Sequence, residues 1–324
     1  MRISTLLLNH TSPSLSSLDI PTGRLKMDLL LPRRQKEKVL IVMGATGAGK
    51  SKLSIDLATR FPAEVINSDK MQMFEGLDIT TNKITEAEQC GILHHMLGIL
   101  SPNAEFTAAN FCEVASLAVE STLSRGQLPI IVGGSNSYIE ALIDDKDFIF
   151  RKRYDCCFLW VDVSMPVLHS FVSDRVDRMV QNGMVEEVRN IFDPKADYSK
   201  GIRKAIGVPE FHQYFKEEPF LDEENREKAL KKAIQEIKDN TCELACRQLK
   251  KIHRLRTVKG WNIHRIDATE VFRKRGKAAD EAWEKRVVVP STTLVAEFLY
   301  NFVSMEVPSS VADIRDYIAQ CLVA

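Results

Sequence analysis

This sequence predicts an α/β protein, a parallel doubly wound sheet with a smaller, mainly helical domain attached. Three observations carry that expectation. The run Lys38-Val39-Leu40-Ile41-Val42-Met43 is apolar at every position after its first, as strands covered on both faces are. Further short apolar runs alternate with stretches of helical spacing, the pattern of βαβ units. Beyond Pro166 the strands give way to long charged segments with apolar residues three and four apart.

Taken in order, the first strand leads through a glycine-rich turn into a helix over 51–60. A second strand follows at Glu64-Val65-Ile66-Asn67-Ser68. The spacing predicts a helix over 108–125, then the strand Leu128-Pro129-Ile130-Ile131-Val132 ending in the tight turn Gly133-Gly134. A fourth strand covers 156–163. Two long helices are predicted over 167–192 and 224–257, the second marked by Ala233, Ile237, Leu244, Ala245, Leu249 and Ile252, and one or two more begin at Pro290. The chain therefore divides into a segment 1–37, an α/β core over 38–165 and a helical region over 166–324 that partly returns to the core.

Composition narrows the function. Lys+Arg and Asp+Glu stand at 44 each, so no global field draws the chain to nucleic acid, and phosphate binding has to be local. No apolar run reaches the roughly 20 residues that span a bilayer, so a soluble protein is expected. The seven cysteines are scattered without a CxxC pair, which points to a reducing compartment rather than a disulfide framework or zinc ribbon. Cys242, Cys246 and His253 share helical spacing and are read as packing positions. The first 36 residues are rich in Ser, Thr and Leu, with six Lys or Arg against Asp19 and Asp28, a composition that fits an organellar transit peptide; a tail without function is the alternative.

The sharpest motif is Gly44-Ala45-Thr46-Gly47-Ala48-Gly49-Lys50-Ser51, which satisfies GxxxxGK[ST] between a predicted strand and a predicted helix. Such a P-loop turns backbone N–H groups around an anion at a helix N-terminus, Lys50 adds a point charge, and the Ser51 hydroxyl can ligate Mg²⁺. A nucleoside triphosphatase or kinase also needs an acidic residue at the end of a neighbouring strand. The strand at 128–132 ends in Gly133-Gly134, and Asp162 offers only a weak match.

The segment Asn67-Ser68-Asp69-Lys70-Met71-Gln72-Met73-Phe74-Glu75-Gly76-Leu77-Asp78-Ile79-Thr80-Thr81-Asn82-Lys83 follows the second strand at the carboxyl edge of the sheet, where ligands bind. It resembles the isopentenyltransferase family, which includes tRNA dimethylallyltransferases and the adenylate isopentenyltransferases of cytokinin synthesis. Five further blocks in the same order are similar: Leu93-His94-His95-Met96-Leu97, Gly133-Gly134-Ser135-Asn136-Ser137-Tyr138, Arg175-Val176-Asp177-Arg178-Met179 with Gly183 and Glu186-Glu187-Val188, Ala205-Ile206-Gly207-Val208-Pro209-Glu210-Phe211, and Arg247-Gln248.

The resemblance implies transfer of a dimethylallyl group from dimethylallyl diphosphate to the N6 amine of adenine. It implies Asp69 as general base, with Lys50, Arg247, the loop residues Gly44, Thr46, Gly47, Ala48 and Gly49, and Mg²⁺ at Ser51 carrying the departing diphosphate. Ser135 is expected at the donor, with capping of the next helix as its alternative. Ser68, Gln72, Asp78, Thr81 and Lys204 are expected at the acceptor, although Asp78 and Thr81 could equally order their loop. His94 and His95 are read as packing residues; Arg175 and Arg178 could face acceptor phosphates or solvent, with solvent the default on a charged helix. The late helix departs from the tRNA branch. Cys242, Cys246 and Lys251 stand where tRNA enzymes resemble Arg, Lys and Trp, and no Cys/His zinc finger is seen. With the neutral charge, these point to AMP, ADP or ATP as acceptor rather than tRNA, held by isolated cations such as Lys204, Lys250 and Lys251. A monomer in the plastid is expected, with the cytoplasm as the alternative location and a tRNA dimethylallyltransferase or a P-loop kinase as alternative functions.

Overall fold

The computed structural model describes residues 36–144 and 149–300, so the transit-peptide expectation lies outside the described residues. Six strands form one parallel sheet in the order β3-β2-β4-β1-β5-β6. They are β1 Glu37–Gly44, β2 Ala63–Asn67, β3 His94–His95, β4 Leu128–Val132, β5 Tyr154–Asp162 and β6 Ile263–Asp267. The helices are α1 Lys50–Ala58, α2 Ala108–Ser124, α3 Asn136–Asp144, α4 Met165–Gln181, α5 Met184–Arg189, α6 Pro209–Glu217, α7 Glu223–Thr257, α8 Lys277–Trp283 and α9 Val289–Tyr300, with shorter turns between them. Among the described residues no helix is long and apolar enough to cross a membrane.

The apolar run of β1 has a direct explanation. Leu40 and Val42 point into one core with Leu53 and Leu57 of α1, whereas Val39, Ile41 and Met43 point into another with Phe111 of α2 and Ile139 of α3. All five strand residues have no solvent exposure. Burying each such side chain contributes about 1.5–3 kcal/mol, so both faces must stay covered. A third core, built around Val176, Met184, Phe211 and Ile237, joins α4, α5, α6 and the first half of α7.

The strands predicted from apolar runs are all present, and two more accompany them. β3 is a two-residue edge strand and β6 an edge strand, Ile263-His264-Arg265-Ile266-Asp267, in which only Ile263 and Ile266 are buried. Neither has an apolar run for the sequence to reveal. β6 pairs along β5 from Phe158↔Ile263 to Asp162↔Asp267, so the helical region returns a strand to the core sheet. The helix predicted over 167–192 is two helices. Gly183 takes a φ of 102° between α4 and α5, a left-handed geometry that glycine adopts without steric cost, while the apolar spacing continues on either side.

One polar network stabilises the β2 edge. The Glu64 carboxylate, 7% exposed, accepts from Arg125 Nε and NH2 at 2.8 and 2.5 Å, from Thr122 Oγ1 at 2.9 Å, and lies 2.7 Å from His95 Nε2. The Arg125 hydrogen bonds, aided by those of His95 and Thr122, outweigh burial and hold its pKa at about 2. A depressed carboxylate stabilises the fold fully above its unfolded pKa, and that stabilisation disappears as pH falls from about 4.5 towards 2. Glu64→Gln is expected to cost about 1–3 kcal/mol at neutral pH, the usual worth of hydrogen bonds to a charged group. In urea melts the gap between wild type and variant should narrow as the buffer moves from pH 7 to pH 3.5; a gap that is constant across that range would show that the charge contributes nothing.

Candidate active site

Strand β1 occupies the middle of the sheet, with β2 and β4 on one side and β5 on the other. Its carboxyl end is thus a switch point, where connections leave in opposite directions and open a crevice. A cleft of about 900 Å³ lies there, walled by the Gly44–Ser51 loop, the segments after β2 and β4, and residues of α4 and α7. Eight Lys and Arg side chains line it against two carboxylates, Asp69 and Glu88. The neutral chain therefore hides a strongly positive pocket suited to a phosphorylated ligand.

Lys50 lies on the cleft floor, its Nζ donating to Ala45 O at 2.9 Å. Burial pushes its pKa down to about 8, against the pull of Asp69, and Arg175 adds to the depression. Arg175, read from the sequence as solvent-facing by default, instead reaches back from α4 to the loop. Its NH2 donates to Thr46 Oγ1 at 3.0 Å, and its Nε is buried without a partner. Burial pushes this guanidinium down to about 10, with Asp69 opposing and Arg178 adding. Both cations are half-buried in the cleft wall, where a bound anion would offset the cost of their partial desolvation, which favours diphosphate binding. Arg178 also lines the cleft and stacks 5.4 Å from the Phe171 ring.

Gln248 ties the loops together. Its Oε1 accepts from Thr46 N at 2.7 Å and its Nε2 donates to Gly134 O at 3.0 Å. The sequence named the Arg247-Gln248 pair, but the two side chains part company. Arg247 is exposed at the cleft wall and pairs with Glu243 on its own helix at 2.6 Å, so Gln248 is the member that touches the loop.

Asp69 lines the same cleft, close enough to Lys50 to favour its charge. Its Oδ1 accepts from Met71 N at 3.1 Å, and its backbone N–H donates to Asn67 Oδ1 at 3.0 Å. Ser135 Oγ accepts from Lys70 N at 2.9 Å and so fixes the loop beside the carboxylate. The Gly133-Gly134 turn lets these segments meet: a Cβ on Gly133 would stand 2.3 Å from the Ser68 carbonyl carbon. The same crowding corrects one expectation. Ser68 has no solvent exposure, lies beneath that turn and does not line the cleft.

The other expected acceptor residues divide. Gln72, Thr81 and Lys204 line the cleft. Gln72 Nε2 donates to Thr81 O and Asn82 O at 3.2 and 3.0 Å, and Thr81 Oγ1 donates to Leu77 O at 2.7 Å, so both order the loop as well. Asp78 is outside the cleft wall, exposed and paired with Lys83 at 2.7 Å. Lys204 stands near Lys70, whose ammonium is lowered by burial and by Lys204. Lys251 lines the cleft but is ion-paired to Glu140, which also holds Arg254 and Lys259. Burial alone would raise Glu140, and these three cations bring it down to about 2. Lys250 is exposed and does not line the cleft. Cys242 and Cys246 turn to α4, with Cys246 Sγ 3.6 Å from His169 Nε2 and Cys242 Sγ 4.0 Å from His169 O, so these two departures do not alter the cleft wall itself. His253 packs edge-on against Trp160, 5.0 Å between centroids.

Ser51 presents its hydroxyl at the first turn of α1 and lines the cleft. Asp162, the weak sequence match for a metal-holding acid, is committed elsewhere: its Oδ2 accepts from Arg265 Nε at 2.6 Å. The protein thus offers one hydroxyl ligand at the loop, which fits a Mg²⁺ ion held mainly by diphosphate oxygens and water.

Comparison with known proteins decides the family. Residues 72–153 and 145–254 match the IPP transferase family. Adenylate isopentenyltransferase 3, chloroplastic, of Arabidopsis thaliana is 56% identical over all of this chain and 99% of its own length. The chain belongs to the IPP transferase family. A second IPP transferase relative, adenylate isopentenyltransferase 5, chloroplastic, from the same plant, is 59% identical over 82% of this chain and 81% of its own. The adenylate isopentenyltransferase of Humulus lupulus is 46% identical over 80% and 89%. Among solved structures, a eukaryotic dimethylallyltransferase acting on tRNA superposes with a TM-score of 0.70 at 24% identity, covering 86% of this chain and 84% of that one. A tRNA isopentenylpyrophosphate transferase from Bacillus halodurans superposes at 0.64 with 25% identity, over 82% and 100%. The IPP transferase fold is thus shared with tRNA enzymes, while the much higher sequence identity lies with the adenylate enzymes.

Proposed function

We infer that this protein transfers a dimethylallyl group from dimethylallyl diphosphate to N6 of the adenine of AMP, ADP or ATP and releases diphosphate, the first step of cytokinin synthesis. The end-to-end identity with an adenylate isopentenyltransferase carries the reading. The cleft supports it chemically. The Asp69 carboxylate shares the cleft of about 900 Å³ with Lys50 of the loop and Arg175 of α4, both of which it attracts electrostatically.

The reaction forms an N6–C1 bond and breaks the C1–O bond to diphosphate. Asp69 accepts the proton that N6 loses, which offsets the weak nucleophilicity of an amine conjugated with the ring. Lys50, Arg175 and the loop amides stabilise charge as it builds on the leaving diphosphate. Ser51 would hold Mg²⁺, which when bound neutralises part of that charge. Gln72, Thr81 and Lys204 border the remaining volume, where the adenine nucleotide fits. The relatives aligned with this chain that are named chloroplastic support a plastid location.

The test uses labelled dimethylallyl diphosphate with AMP, ADP, ATP and unmodified tRNA in turn. Label is expected in adenine nucleotides, and excess tRNA should leave their prenylation almost unchanged. Strong inhibition by tRNA, or label appearing in it, would move the protein to the tRNA-modifying branch. Label in neither acceptor would favour a kinase.

A further inference from the structure

We propose that Trp283 is a positioning residue for the donor diphosphate, and that the helical run 277–300 braces the phosphate loop from behind. The proposal rests on the reading that the Gly44–Ser51 loop holds diphosphate.

Gly49 caps the N-terminus of α1 with a φ of 96°, where the adjoining backbone amides would meet a bound anion. The Trp283 indole lies directly behind it: a Cβ on Gly49 would stand 2.7 and 2.9 Å from Trp283 Cη2 and Cζ3. The ring is 4% exposed, and its Nε1 donates to Asp56 Oδ2 at 2.7 Å. Lys52 Nζ sits 5.0 Å from the ring centroid and 3.6 Å from Asp280. Further along, Arg60 NH2 donates to both carboxylate oxygens of Glu284 at 3.2 Å. Lys52 and Asp56 are four residues apart on one face of α1, and Arg60 follows in the turn just past its end. Asp280, Trp283 and Glu284 meet these residues from the C-terminal run.

These contacts differ in weight. The Lys52–Asp280 pair is well exposed and contributes little. The buried ring therefore carries the brace, packed against Gly49 at the start of α1 and hydrogen-bonded to Asp56 near its end. Glu284 also opens a π-helical turn, Glu284–Val288, a rare geometry concentrated at functional positions. The family match ends at residue 254, so the brace lies wholly outside it.

The consequence is an effect on the donor alone. Loop amides hold an anion only while their N–H groups converge, and a displacement of about 1 Å can cost ~10²-fold. Emptying the space behind Gly49 lets a glycine-rich loop relax into it, while Asp69 and the acceptor region, on other segments, keep their places.

The experiment measures inorganic diphosphate binding by calorimetry and steady-state kinetics for wild type, Trp283→Leu and Trp283→Phe. The leucine variant should raise the diphosphate Kd and the KM for dimethylallyl diphosphate about tenfold, with the KM for ATP within about twofold. The phenylalanine variant keeps a ring and loses the N–H, so about a threefold effect is expected. A wild-type protein that fails to bind diphosphate would overturn the reading of the loop itself. Wild-type binding with both variants unchanged, or donor and acceptor KM rising together, would overturn the brace alone. Should the leucine variant not fold, the phenylalanine variant is judged by the same criterion.

Discussion

Asp69→Asn is expected to lower turnover at least about 10²-fold while the donor diphosphate binds within about twofold of wild type. The amide keeps the side chain's shape, and its carbonyl oxygen can still accept from Met71 N, so the loop held by Asn67 and Ser135 should not move. What disappears is the oxygen that takes the N6 proton. Pre-steady-state mixing with dimethylallyl diphosphate and ATP separates the two effects, because binding is seen in the first phase and transfer in the second. Near-normal transfer would remove Asp69 from the chemistry.

The second large effect is expected at Arg175 and reverses the ranking that the sequence gives to two arginines. Arg175→Gln should cut kcat by roughly 10²–10³, the usual loss when one donor to a developing anion is removed. Arg247→Ala should cost less than about fivefold, because an exposed guanidinium paired to Glu243 is screened by solvent. The decisive measurement is the ratio of the two losses under one set of conditions. If Arg247→Ala is the more damaging, Arg247 must leave Glu243 and swing onto the diphosphate during turnover.

The legible and illegible parts of this site follow from chain locality. The phosphate loop and the Asp69 segment each lie within a few consecutive residues that follow a buried strand, so spacing alone reveals them. Arg175 is one of several charges on α4, and nothing local distinguishes it from Arg178 or Asp174. Its neighbour Thr46 is remote in the chain, and only packing of α4 against the loop brings them together. Trp283 is hidden for the same reason, since a lone aromatic on an amphipathic helix reads as core. The same limit applies to the fold. Buried strands announce themselves by composition, while β3 and β6, at the two edges, show no apolar run because one side of each is open. Ser68 neighbours Asp69 in sequence and so reads as part of the site, but residues alternate along an extended chain, and its side chain lies against the Gly133 turn.

Strand β6 also has a bearing on how the protein is made. It is drawn onto the edge of β5 from far along the chain, with Asp162 opposite Asp267 and the whole of α7 synthesised in between. At ~5–20 residues per second, a ribosome needs on the order of 5–20 s to supply the roughly one hundred intervening residues. During that interval the β5 edge stands unpaired, although the loop and Asp69 have already emerged. An edge of that kind is a template for pairing with another nascent chain. The yield of folded enzyme should therefore depend on translation speed through residues 163–262, a stretch that contributes Arg175 near its start and Gln248 towards its end to the cleft and after which the sheet closes.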